Sequence, residues 1–325
     1  MSAIALGVTG LSALLTLGLL RLARSRRWFD LPGERSLHEV PTPRLGGIAI
    51  VTATLVGVWV TGGPAQATSP VFAVIAGGVI AALVGLVDDI WSTSPVVKFG
   101  GQGLAVLAVI MLWPPPAMSL AWVVVGGLFV LAYTNAFNFM DGADGLAAGV
   151  AVISSAGLVW LGWHAAESGV VALSTLVLAA AAGFLVWNYP KARIFMGDAG
   201  SQFLGFVLAA QGVVLVGAGI NALVVLLVYV PFLFDTGFTL WRRFRAGEIV
   251  WKAHRSHVYQ RLVGRGWSHA HVAWSYYAWS AAAVVAAAIG VGRPAWTTVV
   301  LLAVLIVPGI GLAALAYTLE SDRMS

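Results

Sequence analysis

The chain has 325 residues, 60% of them hydrophobic and only 10% charged, with a formal net charge of +5 and no cysteine. A soluble globular domain is excluded by that balance, and disulfides and thiolate chemistry by the missing cysteines. No alternating ten-residue pattern of an outer-membrane barrel is present either.

Apolar runs long enough to span a bilayer, which takes about 20 residues, recur along the whole sequence. Spanning segments must satisfy their own backbone hydrogen bonds. The expected fold is therefore all-α, a polytopic membrane helical bundle forming one integral membrane domain over 1–325. About eleven transmembrane helices are expected, at 3–20, 45–62, 70–87, 99–113, 117–137, 145–163, 170–187, 200–217, 219–240, 272–291 and 296–317. The first run has no basic residue ahead of it and RLARSRR behind it, the reverse of a secretory signal. It reads as a retained helix with the N-terminus outside, which leaves the C-terminus cytoplasmic.

Orientation follows from the basic residues. In that topology the cytoplasmic segments hold 17 of the 18 Lys and Arg, from Arg21, Arg24, Arg26, Arg27 and Arg35 through Lys252 to Arg323, and only Arg293 lies outside. Cytoplasmic loops collect Lys and Arg. The net positive charge is thus mostly this bias and not a nucleic-acid signal. Of the 13 acids only Glu167 falls outside, and acids gain little from the positive-inside rule. The five Asp of the inner-face motifs need another cause.

In chain order, DLPGERSLHEVPTPRLGG (30–47) is a Pro- and Gly-punctuated loop carrying Arg35, His38 and Arg44; it reads equally as a basic connector. GLVDDIW sets Asp88 and Asp89 side by side at a helix end. Adjacent carboxylates repel, and acids oppose the macrodipole there, so a cation is wanted, and Lys98 follows nearby. NAFNFMDGADGLAAGV places Asn135, Asn138, Asp141 and Asp144 at steps of three, which keeps neighbours on one side of a helix. The four can face one pocket, and such oxygen ligands suit Mg²⁺. NYPKARIFMGDAGS supplies Asn188 and Asp198, with Asp198 either capping the next helix or acting as a second Mg²⁺ ligand. The last inside loop holds His254, Arg255 and His257, suited to phosphate oxygens or to anionic lipid heads. A zinc site is disfavoured, since HxxH has no third ligand near it. Asp235, in PFLFDTGFTL, is the one acid placed within the hydrocarbon.

GLVDDIW, NAFNFMDGADGLA, FMGDAGS and AHRSHVYQRL, in this order, resemble the polyprenyl-phosphate N-acetylhexosamine-1-phosphate transferases over residues 28–262. That superfamily includes the phospho-MurNAc-pentapeptide transferase of peptidoglycan synthesis. The resemblance implies a multi-pass enzyme of the bacterial inner membrane with a cytoplasmic active site. It implies transfer of a sugar 1-phosphate from a UDP-N-acetylhexosamine to polyprenyl phosphate, with Mg²⁺ as cofactor and release of UMP. By motif, Asn138 and Asp198 match the Mg²⁺ positions, and Asp88, Asp89 and Lys98 the catalytic acid pair and lysine. Asn135, Asp141, Asp144, Asn188, Arg44, His254, Arg255 and His257 are the expected substrate-binding set. The implied partners are the nucleotide sugar, the polyprenyl phosphate and the lipid bilayer; nucleic acid is excluded and a homodimer is allowed. Glu39 stands where the peptidoglycan enzyme has a lysine, and AHRSH replaces three successive histidines. Both departures resemble the branch that initiates O-antigen or related surface polysaccharides. The alternatives are the pentapeptide transferase itself and a transporter, which would line its path with midplane ionisable groups.

Overall fold

Thirteen α-helices build the described residues of the computed structural model, which are 1–26, 28–30, 40–62, 70–113, 119–250 and 254–317. Among these residues the β structure is one isolated antiparallel bridge, Asp30 to Thr42. Arg27, Arg35, His38, Glu39, Lys252 and Arg323 lie outside the described residues. The helices are α1 Ser2–Arg26, α2 Gly46–Thr61, α3 Pro70–Trp91, α4 Pro95–Leu112, α5 Leu120–Phe139, α6 Leu146–His164 and α7 Ser168–Asn188. They continue as α8 Gly197–Gly217, α9 Ala222–Leu227, α10 Val230–Arg245, α11 Val258–Gly264, α12 His269–Gly290 and α13 Ala295–Tyr317.

Among the described residues, nine helices (α1, α3 to α8, α12 and α13) are long and apolar enough to cross a bilayer. The protein is thus an all-α, multi-pass membrane protein. Two of the eleven expected spans differ from a simple crossing. The second, α2, has 16 residues, about 24 Å at 1.5 Å per residue. The ninth, expected at 219–240, is broken: α9 ends at Leu227 and α10 opens at Val230. Pro231 sits in the first turn of α10, where its missing N–H costs nothing, but it could not continue α9. The fourth span starts earlier than expected, because Ser94 caps α4 and Pro95 opens it. Lys98 is thereby in the first turn of α4.

Helix α8 is the axis of the bundle, with 89% of its apolar window buried against 11% for α4 at the periphery. Its main neighbours are α3, α5 and α2, with α1, α6, α7 and α12 forming a second layer and α13 lying over α10 and α11. Small residues set this order, as in membrane helix packing generally. A Cβ on Gly85 of α3 would strike the main chain of Asp198, and one on Gly47 of α2 would strike that of Gly200. Backbones therefore meet at one end of α8, and that end carries the motifs.

Candidate active site

The segment before α2 and the segment before α8 are tied by main-chain bonds. Phe195 N–H donates to Pro43 O (2.7 Å), and Gly46 and Gly47 N–H donate to Phe195 O and Met196 O (2.9 and 2.7 Å). This pairing sets Arg44 beside the start of α8. From α3, Asp89 accepts hydrogen bonds from the backbone N–H of Asp198 and Ala199, both at 3.0 Å. Asp89 therefore caps α8 from another helix, and its charge is favourable at that N-terminus. Of the two readings of Asp198, capping of its own helix is not seen: the N-cap position of α8 is Met196, with no side-chain cap bond, and the Asp198 carboxylate takes part in ion pairs instead. Gly197 precedes it at φ +73, with the Asp89 carboxylate so close that a Cβ would lie 2.8 Å from Oδ2.

Two cations lock this arrangement. Arg44 reaches Asp89 at 3.1 Å and Asp198 at 2.7 Å. Lys98 bridges Asp88 at 2.6 Å and Asp198 at 2.7 Å. Asp88 also accepts from Thr93 N–H (2.8 Å) and the Thr93 hydroxyl (2.6 Å). Burial alone would lower the Arg44 pKa, but Asp198 and Asp89 hold the guanidinium above its ordinary value. The paired acids that are costly within α3 are thus satisfied by α4, α8 and the segment before α2.

The 135–144 stripe does not face one pocket. Asn138, in the last turn of α5, donates to Ser201 Oγ at 2.9 Å, three residues beyond Asp198. Asn135 turns one level deeper, where its amide bonds Gln102 at 2.7 Å and Leu131 O at 2.8 Å. Asp144 faces the other side of the turn, accepting from Ala192 N–H at 3.1 Å and lying 3.2 Å from His269 Nδ1. Asn188 links that turn to the next loop, accepting from Gly145 N–H (2.9 Å) and donating to Ile194 O (3.0 Å). Asp141 is the exception: among the described residues its carboxylate meets no hydrogen-bond or ionic partner. Burial pushes its pKa well up, with Arg44 opposing and the charges of Asp198 and Asp89 adding to the rise.

The segment leading into α11 is divided. His257 is buried at 3% exposure, with Nδ1 3.1 Å from Asp235. His254 is half-buried and stacks on it, centroids 5.1 Å apart, while Arg255 is exposed. His257 is therefore part of the wall, while His254 and Arg255 keep more of their surface accessible.

Several site residues escaped the sequence reading. Gln102 on α4, 1% exposed, and Gln202 on α8, fully buried, join Asn135 in an amide network. Each lies one helical turn beyond a charged residue, Lys98 or Asp198, and that spacing was the available signal. Ser201, Thr93 and His269 carried none beyond their neighbours.

Known proteins similar to this chain in sequence are consistent in kind. The family model described as glycosyl transferase family 4 matches residues 71–216. The chain is 33% identical over 326 residues to a decaprenyl-phosphate N-acetylglucosaminephosphotransferase of Mycobacterium tuberculosis, covering 86% of this chain and 80% of that one. It is 31% identical over 256 residues to a probable undecaprenyl-phosphate N-acetylglucosaminyl 1-phosphate transferase of Bacillus subtilis, covering 74% and 71%. Similarity to the phospho-N-acetylmuramoyl-pentapeptide-transferase of Enterococcus hirae, 30% over 198 residues, covers 54% and 61%.

Proposed function

Because this chain belongs to the polyprenyl-phosphate N-acetylhexosamine-1-phosphate transferases of glycosyl transferase family 4, we propose that it moves N-acetylglucosamine 1-phosphate from UDP-N-acetylglucosamine to a polyprenyl phosphate. The sugar narrows from any N-acetylhexosamine because the relatives matched over most of this chain carry N-acetylglucosamine in their names. The product initiates a lipid-linked surface polysaccharide, O-antigen among the candidates, at the cytoplasmic face of the bacterial inner membrane.

The observation that carries this reading is the lattice of Arg44, Lys98, Asp88, Asp89 and Asp198 at one end of the bundle. A polyprenyl chain gains about 0.8 kcal/mol per CH₂ from the bilayer, so its phosphate reacts at the membrane surface. A UDP-sugar stays in water. The two meet only where charged groups stand at the mouth of an apolar bundle.

Both substrates are anions, and unit charges 4 Å apart repel by roughly 1 kcal/mol in water and about 4 at an effective dielectric of 20. Arg44 and Lys98 can shift from carboxylate to phosphate oxygens, since both partners are hard anions and both cations are partly exposed. The lipid phosphate, with a second pKa of about 6, is already a nucleophile at neutral pH, so orientation matters more than a general base. One of its oxygens bonds to the sugar-bearing phosphorus of the nucleotide sugar while the bond from that phosphorus to the bridging oxygen breaks. UMP leaves with the electron pair. Asp88 and Asp89 hold Lys98 and Arg44 at the two ends of this path.

The donor set fits Mg²⁺. Three carboxylates, Asp88, Asp89 and Asp198, stand against two cations, so negative charge is in excess before any substrate enters. Among the described residues no group of three or more acidic, His or Cys side chains could hold a metal by itself, and Mg²⁺ is usually held by one or two carboxylates together with substrate phosphates. Asp198 and Asn138 would hold it, with Asp141, unpartnered among the described residues, as a further oxygen ligand. Bound there, Mg²⁺ would supply neutralisation of the diphosphate and of the departing UMP.

Purified protein incubated with UDP-N-acetylglucosamine, undecaprenyl phosphate and Mg²⁺ should release UMP, with a lipid product heavier by one N-acetylglucosamine phosphate. Chelation should stop the reaction and Mg²⁺ restore it. Activity unaffected by chelation would remove the metal from this reading. No lipid product from this donor, with product from another UDP-sugar, would overturn the sugar.

A further inference from the structure

Among the described residues Asp235 is the carboxylate with the most hydrogen-bond partners, and nothing in the reaction above uses it. It is 0% exposed and sits one turn into α10, just after the break from α9. Its oxygens accept from Val258 N–H at 3.0 Å, Tyr259 N–H at 3.1 Å and the Tyr276 hydroxyl at 2.5 Å. His257 Nδ1 lies at 3.1 Å and the Thr239 hydroxyl at 3.3 Å. A transporter acid would be expected beside an open path, but this one is walled in by donors from α10, α11 and α12.

The donors are not scattered. Val258 and Tyr259 are the first residues of α11, so the Asp235 charge stands at that helix's N-terminus and satisfies amides the helix leaves open. Because the carboxylate accepts from its other neighbours, His257 Nδ1 must carry the proton, which sets the ring's tautomer and tilt. Onto that ring stacks His254, whose own Nδ1 lies 3.3 Å from Ser256 N–H. A backbone N–H can only donate, so neutral His254 carries its proton on Nε2 and has a donor to offer. The same short helix is pinned to the site turn: the Tyr259 hydroxyl donates to Phe139 O at 2.9 Å, and Phe139 lies between Asn138 and Asp141 in sequence. Tyr317 holds the far side, donating to Ser256 O at 2.5 Å beneath the Arg261 and Arg242 guanidinium groups.

We propose that Asp235 is a positioning residue which, through His257 and the first amides of α11, fixes the loop 254–264 against the turn after α5 so that His254 and Arg255 meet the phosphates of the substrate. The assignment of those phosphates rests on the reaction proposed above. The anchoring does not, since it follows from the bonds alone. Breaking a buried carboxylate's hydrogen-bond set frees every partner at once, so loss of Asp235 should loosen the loop as a unit and leave the Arg44–Asp198–Lys98 lattice in place.

Hydrogen exchange of the purified full-length protein separates the two questions. In Asp235→Asn, peptides covering 254–264 should exchange at least tenfold faster, with those covering 84–101 and 195–202 unchanged. UMP release should show a KM for the nucleotide sugar raised severalfold and kcat lowered, and Asp235→Asn combined with His257→Asn should be no worse than Asp235→Asn alone. Unchanged exchange in 254–264, or fully additive kinetic losses in the double variant, would overturn the proposal. Should Asp235→Asn fail to fold, Tyr276→Phe removes a single donor: selective loosening of 254–264 supports the anchor, and wild-type exchange overturns it. If wild-type protein releases no UMP while the exchange pattern holds, the reaction is wrong and the anchor stands.

Discussion

Two buried carboxylates at the same end of the bundle, Asp198 and Asp235, are stabilised in opposite ways. Asp198 is held by two full cations, Arg44 and Lys98, whose side chains are 39% and 23% exposed. Asp235 is held by two backbone amides, a tyrosine, a threonine and a histidine, with no exposure at all. A cation can exchange one anion for another with little loss, so the Asp198 lattice is a set of charges ready to be redirected to phosphate. A backbone N–H at a helix start cannot be redirected without moving the helix. On the proposed function, charge at the reacting centre is labile and charge at Asp235 is fixed.

The most severe test of that contrast is Asp198→Asn, which keeps shape but removes the charge shared by Arg44 and Lys98. UMP release should fall by about 10²–10³-fold, the usual cost of removing one electrostatic stabiliser of a transition state, while the protein still inserts and elutes as wild type. Retained activity would show that the lattice is only structural. Lys98→Arg comes next. One ammonium now sits 2.6 Å from Asp88 and 2.7 Å from Asp198, and a planar guanidinium cannot reproduce that point contact. A loss of about tenfold to 10²-fold in kcat is expected, and a wild-type rate would mean that charge alone suffices there.

Asp141 probes the same principle from the other side, since its carboxylate lacks a cation of its own among the described residues. Its pKa is raised, so the folded protein binds this proton more tightly than the unfolded chain does. Stability of the metal-free protein should then fall as pH rises from the ordinary carboxylate range through the raised value. Asp141→Asn should flatten that decline and raise the melting temperature at neutral pH, while lowering activity. A melting temperature that falls in the variant would mean the carboxylate has a stabilising partner.

How much of this was readable in the sequence differs by residue. Asp88, Asp89, Lys98, Asn138 and Asp198 stood out because polar groups in apolar runs are costly and therefore conspicuous. Which partner each would take was not readable, because pairing depends on helix neighbours. Nothing along the chain says that Asp89 caps α8, 109 positions away. Steps of three suggested a common face for 135–144, but α5 ends at Phe139 and the turn after it sends Asp144 to the opposite side. Ser94-Pro95 was a legible helix start that hydropathy alone passed over. Asp235 was visible as an anomaly, yet its role depends on the start of α11, a helix of seven residues too short to announce itself.

The finest test concerns α4, the helix that carries Lys98 and has the least reason to stay in place. Its buried residues are Gln102 and Ala105 alone, and Val106 and Val109 are partly buried side chains that pack it on the core. Gln102 bonds Asn135 at 2.7 Å and Gln202 at 3.3 Å, which ties α4 to α5 and α8 one turn beneath Lys98. Such interhelical bonds in membranes contribute about 0.6–2 kcal/mol, too little to decide folding but enough to set where one ammonium rests. Gln102→Met preserves length and packing without the bonds. If the amide network positions Lys98, kcat should fall severalfold with KM for the nucleotide sugar nearly constant, and the same change made on a Lys98→Arg background should add little. If the network serves only cohesion, the melting temperature will drop and the kinetics per folded molecule will stay as they were, placing Gln102 with the fixed support and leaving Lys98 held by its two carboxylates alone.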